Sequence, residues 1–335
     1  MENENEIKKE NNLSPILSII VVAALIFGAS IYTMRLNSQG ILWHSAQLNS
    51  QNEVSQQGGV ELPVKWGDIG VRMTETGVID KTKFENLYAG RGGLAESDKK
   101  LLTESNNGNL VINSKNSGVI LNMLWAFGLG NKNPILENGP MMDKNYGGAG
   151  NFASTGGWTL AQGDAMSHYS MHAFITLTPE QQALVERVAK NIYRPCCGNS
   201  TYFPDCNHGM AMLGLLELMA SQGVTEADMY KAALAVNSYW FPDTYETIKI
   251  YMKSKGVEWK DVDPQEILGA NYSSGQGFAQ IASQVAQPAQ KRGSGGCGVD
   301  AGIPTSLPQR QQGGCGVDAG QPALVPQKQQ GGCGI

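Results

Sequence analysis

The chain has 335 residues, of which 41 % are apolar and 16 % charged, and it carries 41 glycines. That apolar share supports a buried core, while the glycines and the many Asn and Gln point to long loops rather than a helical bundle throughout. A net charge of −5 with no basic run excludes a nucleic-acid footprint, which needs clustered Lys and Arg to displace counterions from phosphates.

In chain order, residues 1–15 read as a short cytoplasmic N-terminus. Ile16 to Met34 is an uncharged apolar run, close to the roughly 20 residues that span a bilayer. Lys8 and Lys9 precede it and only Arg35 follows closely, so the positive-inside bias places the body outside the cytoplasm. Gly28, Ala29 and Ser30 are small enough for a signal-peptidase site, and cleavage near Ser30 would make the protein secreted rather than anchored. Residues 35–60 are rich in Asn, Gln and Ser and read as a linker.

The stretch 61–165 is irregular. Leu62 to Val71 suits a short strand, Lys81 to Tyr88 a short helix, and Val119 to Phe127 a buried helix ended by Gly128. The glycine-rich run 143–158 lacks the spacing and the following helix of a phosphate loop, and reads as a loop that packs Trp158 onto the core. Residues 166–268 read as a helical Cys/His domain. Thr178, Pro179 and Gln181 supply a capping box and an N1 proline for a helix with the apolar stripe Leu184, Val185, Val188, Ala189 and Ile192, stopped by Pro195. Further helices are expected from His208 to Gln222 with Gly223 as cap, from Thr225 to about Tyr239, and from Thr244 to Lys255 with Gly256 as cap. From 269 to 335 the pattern dissolves into Gly, Ser, Gln, Ala and Pro, and three Gly-Gly-Cys-Gly repeats place Cys297, Cys315 and Cys333 at equal spacing. Such a tail buries too little to offset its ordering entropy, so a disordered, thiol-bearing tether is expected. The fold class is therefore mainly α: an N-terminal transmembrane helix, an irregular glycine-rich region, a small helical bundle and a disordered tail.

The chemistry concentrates in Cys196, Cys197, Cys206 and His208, on a loop between two predicted helices. Three sulfurs and an imidazole within reach of one centre are soft-metal ligands, suited to zinc or, with methionines nearby, to Cu(I). The same residues support a redox reading, because Cys206 at a helix N-terminus has its thiolate favoured by the dipole, with Cys196 or Cys197 as resolving thiol. A plain disulfide staple is the third reading, expected in an oxidising compartment. Met166, His168, Met171 and His172 form a secondary candidate, with two histidines four apart but no Glu in the metalloprotease position. The tail thiols Cys297, Cys315 and Cys333 are secondary candidates too, since tethering gives them a high effective concentration at the body's site.

From Tyr193 to Trp240 the chain resembles the thiol protein of cytochrome c maturation. Arg194-Pro195-Cys196-Cys197-Gly198-Asn199-Ser200 stands where that family has Arg-Cys-x-x-Cys-Gln-Asn-Gln-Ser, and a helix, a Gly and a Thr-capped acidic helix follow, although the spaced cysteine pair is missing. Pro195-Cys196-Cys197-Gly198 and Cys206-Asn207-His208-Gly209 also resemble the Cys-rich lipoproteins with a PCYCGC motif. Both resemblances imply an extracytoplasmic helical hairpin that handles thiols. The expectation is a membrane-anchored protein that binds or traffics copper, or zinc second, more a binder than an enzyme. Its partners would be the bilayer through residues 16–34 and a metal or thiol exchange protein. The rivals are a thiol-disulfide exchange protein and an envelope structural protein cross-linked by its cysteines.

Overall fold

Leu62, Val64 and Trp66 are buried while Glu61, Pro63 and Lys65 are exposed, the period-two alternation of a strand with one face on a core. This strand opens the ordered body in a computed structural model of the chain, which describes residues 59–285. The expected membrane run 16–34, the linker up to residue 58, and the tail thiols Cys297, Cys315 and Cys333 lie outside the described residues. Among the described residues no helix is long and apolar enough to cross a membrane.

The strand β1 (Val60–Gly67) pairs antiparallel with β2 (Asn107–Ile112), with a register irregularity between Glu61 and Lys65. The other edge of β1 is covered by a side chain: Gln222 accepts from Lys65 N at 2.9 Å and donates to Lys65 O at 2.8 Å. That amide stands in for a strand neighbour and blunts an edge that would otherwise be open to pairing. Between the strands lie α1 (Ile69–Glu75), α2 (Lys81–Ala89) and α3 (Glu96–Thr103). Asp80 caps α2 by accepting from Lys83 N at 3.0 Å.

After β2 comes α4 (Ser117–Gly130), whose residues from Val119 to Gly130 are all buried. A helix apolar all round must be a central one. Its partner is α8 (Asn207–Ser221), buried from Asn207 to Ala220. The expectation that Gly128 ends the first of these helices is corrected here, because Gly128 is the crossing point. A Cβ on Gly128 would strike the Met210 carbonyl oxygen, and one on Gly214 would lie 2.7 Å from Leu124 O. The two glycines let the backbones touch, so α4 continues through them. The sequence stripe Met212, Leu215, Leu216 and Met219 is likewise only part of what α8 buries, since its other faces meet neighbours too.

Around this pair are the short α5 (Pro134–Asn138), α6 (Ala153–Gly156), α7 (Pro179–Asn191), α9 (Glu226–Trp240) and α10 (Pro242–Ser254). The capping box on α7 forms as expected, Thr178 Oγ1 accepting from Gln181 N at 3.3 Å and Gln181 Oε1 from Thr178 N at 2.9 Å. Run 143–158 folds as short 3-10 turns and α6, and it delivers Trp158 to the core with its indole N–H on Val78 O at 2.9 Å. The chain does not lose its order at 269. It continues through α11 (Pro264–Leu268), α12 (Ala270–Ser273) and α13 (Gly275–Ala282). Ser274 caps α13 by accepting from Gly277 N at 2.9 Å, and Ile281 is buried. One hydrophobic core runs from Leu62 to Ile281, so residues 61–165 and 166–268 share it rather than forming separate domains.

Candidate metal centre

The site is a fifteen-residue loop-and-cap, Ile192 to Cys206, between the end of α7 and the start of α8. Helix α7 stops at Asn191 because the loop folds back onto its last carbonyls: Tyr202 N donates to Ala189 O at 3.1 Å and Thr201 N to Ile192 O at 2.8 Å. Tyr193 bridges Ser200, which closes the base of the loop. From the far side, Gly275 N donates to Cys197 O at 2.8 Å, and a Cβ there would press on Pro195 O at 3.3 Å. The start of α13 therefore lies directly on the cysteine loop, which explains why that segment is ordered.

Arg194 fills the centre of the loop at 1 % exposure. Its guanidinium donates to Cys206 Sγ at 3.1 Å, to Asn199 O at 2.9 Å, to Phe203 O at 2.9 Å, and to Asp205 Oδ1 in a buried ion pair. Asp205 Oδ2 in turn accepts from Asn199 Nδ2 at 2.9 Å. Space for the guanidinium exists because residue 209 is glycine: a Cβ there would lie 2.6 Å from Arg194 Cζ. A planar five-donor fork suits this task, since one side chain orients both the loop backbone and a sulfur.

Cys206 is the N-cap of α8, with extended backbone at φ −124° and ψ 168°. Its sulfur lies 3.5 Å from Cys196 Sγ. Cys197 Sγ points instead toward Asp205 Oδ1 at 3.8 Å and Asn199 O at 3.9 Å. His208, in the first turn of α8, is buried, with its ring 4.4 Å from that of Phe241 and 5.7 Å from that of Trp240. The ligand atoms of Cys196, Cys206 and His208 all lie within 4.8 Å of one another, and so do those of Cys197, Asp205 and Cys206. Cys206 belongs to both sets. These groups could hold a metal ion.

The protons on the sulfurs are unevenly held. Burial alone would raise the Cys206 thiol, but hydrogen bonds from Cys196 and Cys197, the Arg194 charge and a hydrogen bond from His208 outweigh it and hold Cys206 well below the ordinary value. Cys196 is pushed well above the ordinary value by its hydrogen bonds to Cys197 and Cys206 and by burial. A hydrogen bond from Cys196 lowers Cys197, but its bond to Cys206 and its burial prevail and push it up to about 12. Among these three sulfurs the charged form is favoured most at Cys206. Burial also raises Asp205, against the lowering pull of Arg194.

No family model, curated protein or solved structure matches the chain. The site's chemistry is therefore read from its geometry alone.

Of the sequence-predicted residues, Cys196, Cys197, Cys206 and His208 come together. The second cluster takes a different form. Met166 to His172 is not a helix but a 3-10 turn at Ala165–Ser167 followed by Ser170 at φ 55°. His168 Nδ1 and His172 Nε2 nonetheless meet at 3.1 Å, and His168 Nε2 lies 2.9 Å from Gln162 O. A carbonyl only accepts, so His168 carries its proton on Nε2 and its Nδ1 accepts from His172. Burial and the neighbouring His168 push the His172 pKa down. Met166 and Met171 are 42 % and 64 % exposed, and among the described residues no third His, Cys, Asp or Glu completes a ligand set with the pair. Sequence reasoning overlooked Arg194 and Asp205. Their signal was present: they are the charged residues flanking an uncharged stretch, Pro195 to Pro204, that carries two of the cysteines.

Proposed function

We propose that the chain is a membrane-tethered, extracytoplasmic binder of a thiophilic metal ion, copper first and zinc second. Cys196, Cys206 and His208 are its ligands, and the tail thiols Cys297, Cys315 and Cys333 act as mobile donors or acceptors. The observation that carries this reading is the convergence of two sulfurs and an imidazole within 4.8 Å of one another. Metal ligation requires deprotonated thiols, and the surroundings of Cys206 hold its pKa below the ordinary value, which favours the first bond. Asp205 is less available, because Arg194 and Asn199 occupy its oxygens. That leaves two soft sulfurs and one nitrogen, a donor set of the kind Cu(I) accepts.

The rival thiol-exchange reading rests on the 3.5 Å approach of Cys196 to Cys206. Its weakness is access: an exchange catalyst attacks with an accessible thiolate, whereas Cys206, the sulfur whose pKa is held lowest here, is fully buried.

Native mass spectrometry of the full, reduced chain in mild detergent tests the proposal. The expected result is one Cu(I) per chain, lost on Cys206→Ser and weakened on His208→Ala. A reduced chain that takes up neither copper nor zinc refutes it. Deleting residues 287–335 should leave the stoichiometry intact and slow transfer to a chelator; an unchanged transfer rate removes the tail from the mechanism.

A further inference from the structure

Cys196 and Cys206 are not only two ligands of one site but also two sulfurs in direct contact. Their sulfurs are 3.5 Å apart, so a small rotation of the half-buried Cys196 side chain brings them into bonding range. Cys197 is a poor competitor on both sides. Bonding to adjacent Cys196 would demand a strained vicinal ring, and its sulfur is directed toward Asn199 O and Asp205 Oδ1 while its own carbonyl is pinned by Gly275 N. The two differ in burial: Cys206 is fully buried, whereas Cys196 is partly exposed.

We propose that Cys196 and Cys206 close into a disulfide when a small disulfide oxidant is in excess, and that closure and metal occupancy exclude one another, so the site is redox-gated. The disulfide stands on the geometry of the two sulfurs; the gating rests on the metal reading above. In the first step Cys196 sulfur attacks one sulfur of R–S–S–R, the oxidant's bond breaks, and one thiolate leaves. In the second step Cys206 sulfur attacks Cys196 Sγ, forms the internal bond and expels the other thiolate. The Cys196 proton passes to one released thiolate, the other takes up a proton from solvent or leaves as the thiolate, and two electrons pass from the protein to the oxidant. A metal ion on Cys196 and Cys206 blocks both steps, because the electron pairs that would attack are donated to the ion. Conversely, the disulfide has no thiolate left to ligate.

Thermodynamic linkage makes this quantitative. A ligand that binds only the reduced form shifts the thiol–disulfide equilibrium by the factor 1 + [L]/Kd, about a hundredfold when free metal is at 100 times Kd. The test uses the full chain with Cys297, Cys315 and Cys333 replaced by Ser, equilibrated in glutathione buffers with and without buffered Cu(I), then alkylated and peptide-mapped. The expected result is one disulfide joining 196 to 206, retained in Cys197→Ser and lost in Cys196→Ser. Its midpoint should move about a hundredfold toward the oxidant at that metal level. A disulfide mapped to Cys197, or thiols that stay free at every glutathione ratio, overturns the closure. A 196–206 disulfide whose midpoint ignores bound metal overturns the gating. A reduced chain that takes up no metal but still forms the 196–206 bond refutes the metal reading and upholds the closure, so the two failures are distinguishable.

Discussion

Removing the Arg194 guanidinium should be among the most costly single changes to this molecule. Arg194 is buried with Asp205 at 1 % and 3 % side-chain exposure, and its donors serve two backbone carbonyls, a carboxylate and a sulfur. Hydrogen bonds to a charged group contribute roughly 1.5–3 kcal/mol each, and together they offset the several kcal/mol it costs to desolvate each ion. Arg194→Met keeps the apolar stem but strands Asp205, the Cys206 sulfur and two carbonyls in a dry loop. Breaking a buried pair in this way costs about 3–5 kcal/mol. For an ordered body of this size each kcal/mol lowers Tm by about 2–4 °C, so a fall of about 6–20 °C is expected. Thermal and urea unfolding of the reduced, metal-free chain would measure it. Arg194→Lys keeps the charge without the fork and should fall between the two. In a double-mutant cycle, Arg194→Met with Asp205→Asn should cost less than the sum of the singles by at least about 0.5 kcal/mol. A loss under about 1 kcal/mol for Arg194→Met, with additive behaviour in the cycle, would refute the view that this ion pair organises the loop.

Two further changes probe the frame that carries the site. Gly214→Ala places a methyl 2.7 Å from Leu124 O and 2.9 Å from Gly128 N. Backbone cannot yield as a side chain can, so α4 and α8 must part, at a cost of about 1–3 kcal/mol or more; a Tm equal to the wild type would contradict that crossing. Glu217 is fully buried on α8, accepts from Asn131 Nδ2 at 2.6 Å, and has its pKa raised well above the ordinary value by burial, against the lowering effect of its hydrogen bonds. The folded chain therefore keeps this proton after the unfolded chain has lost it near pH 4.3. Stability from Glu217 is full below that pH and declines as pH rises toward the folded value. Glu217→Gln removes this decline, so its Tm minus that of the wild type should grow from about pH 4 to pH 8, and a constant difference would show that Glu217 does not titrate as described.

What the sequence revealed about the fold follows the range of the interactions. Local signals were read correctly where a few neighbouring residues decide the outcome: the capping box at Thr178, and Gly223 and Gly256 at positive φ beyond their helices. Three features needed partners far along the chain. Gly128 looked like a helix terminator and is a contact point with Gly214. Residues past 269 looked featureless, because what orders them is the packing of α13 onto the Cys197 backbone and not their own propensity. That the irregular and helical stretches share one core was also not legible, because it depends on α4 packing into the centre of the helical part. At the site, cysteines and histidine announced themselves by residue type, whereas Arg194 and Asp205 matter through a pairing that only the fold reveals.

Under the proposed function, the choice of copper over zinc turns on Cys197. Zinc in a protein-held site takes four ligands, and Cys196, Cys206 and His208 supply three. Asp205 is engaged by Arg194 and Asn199, which makes Cys197 the nearest remaining donor. Recruiting it means removing a proton from a thiol pushed up to about 12, which opposes ligation. It also requires turning the sulfur away from Asp205 and Asn199. A three-coordinate Cu(I) ion avoids both costs. Cys197→Ser should therefore leave Cu(I) affinity within about threefold of wild type in competition with a chromogenic chelator, since a factor of three corresponds to under 1 kcal/mol. If zinc is bound with Cys197 as its fourth ligand instead, the same substitution lowers zinc affinity by at least about tenfold. A tenfold loss of copper on Cys197→Ser would make Cys197 a ligand and remove the reason for ranking copper first.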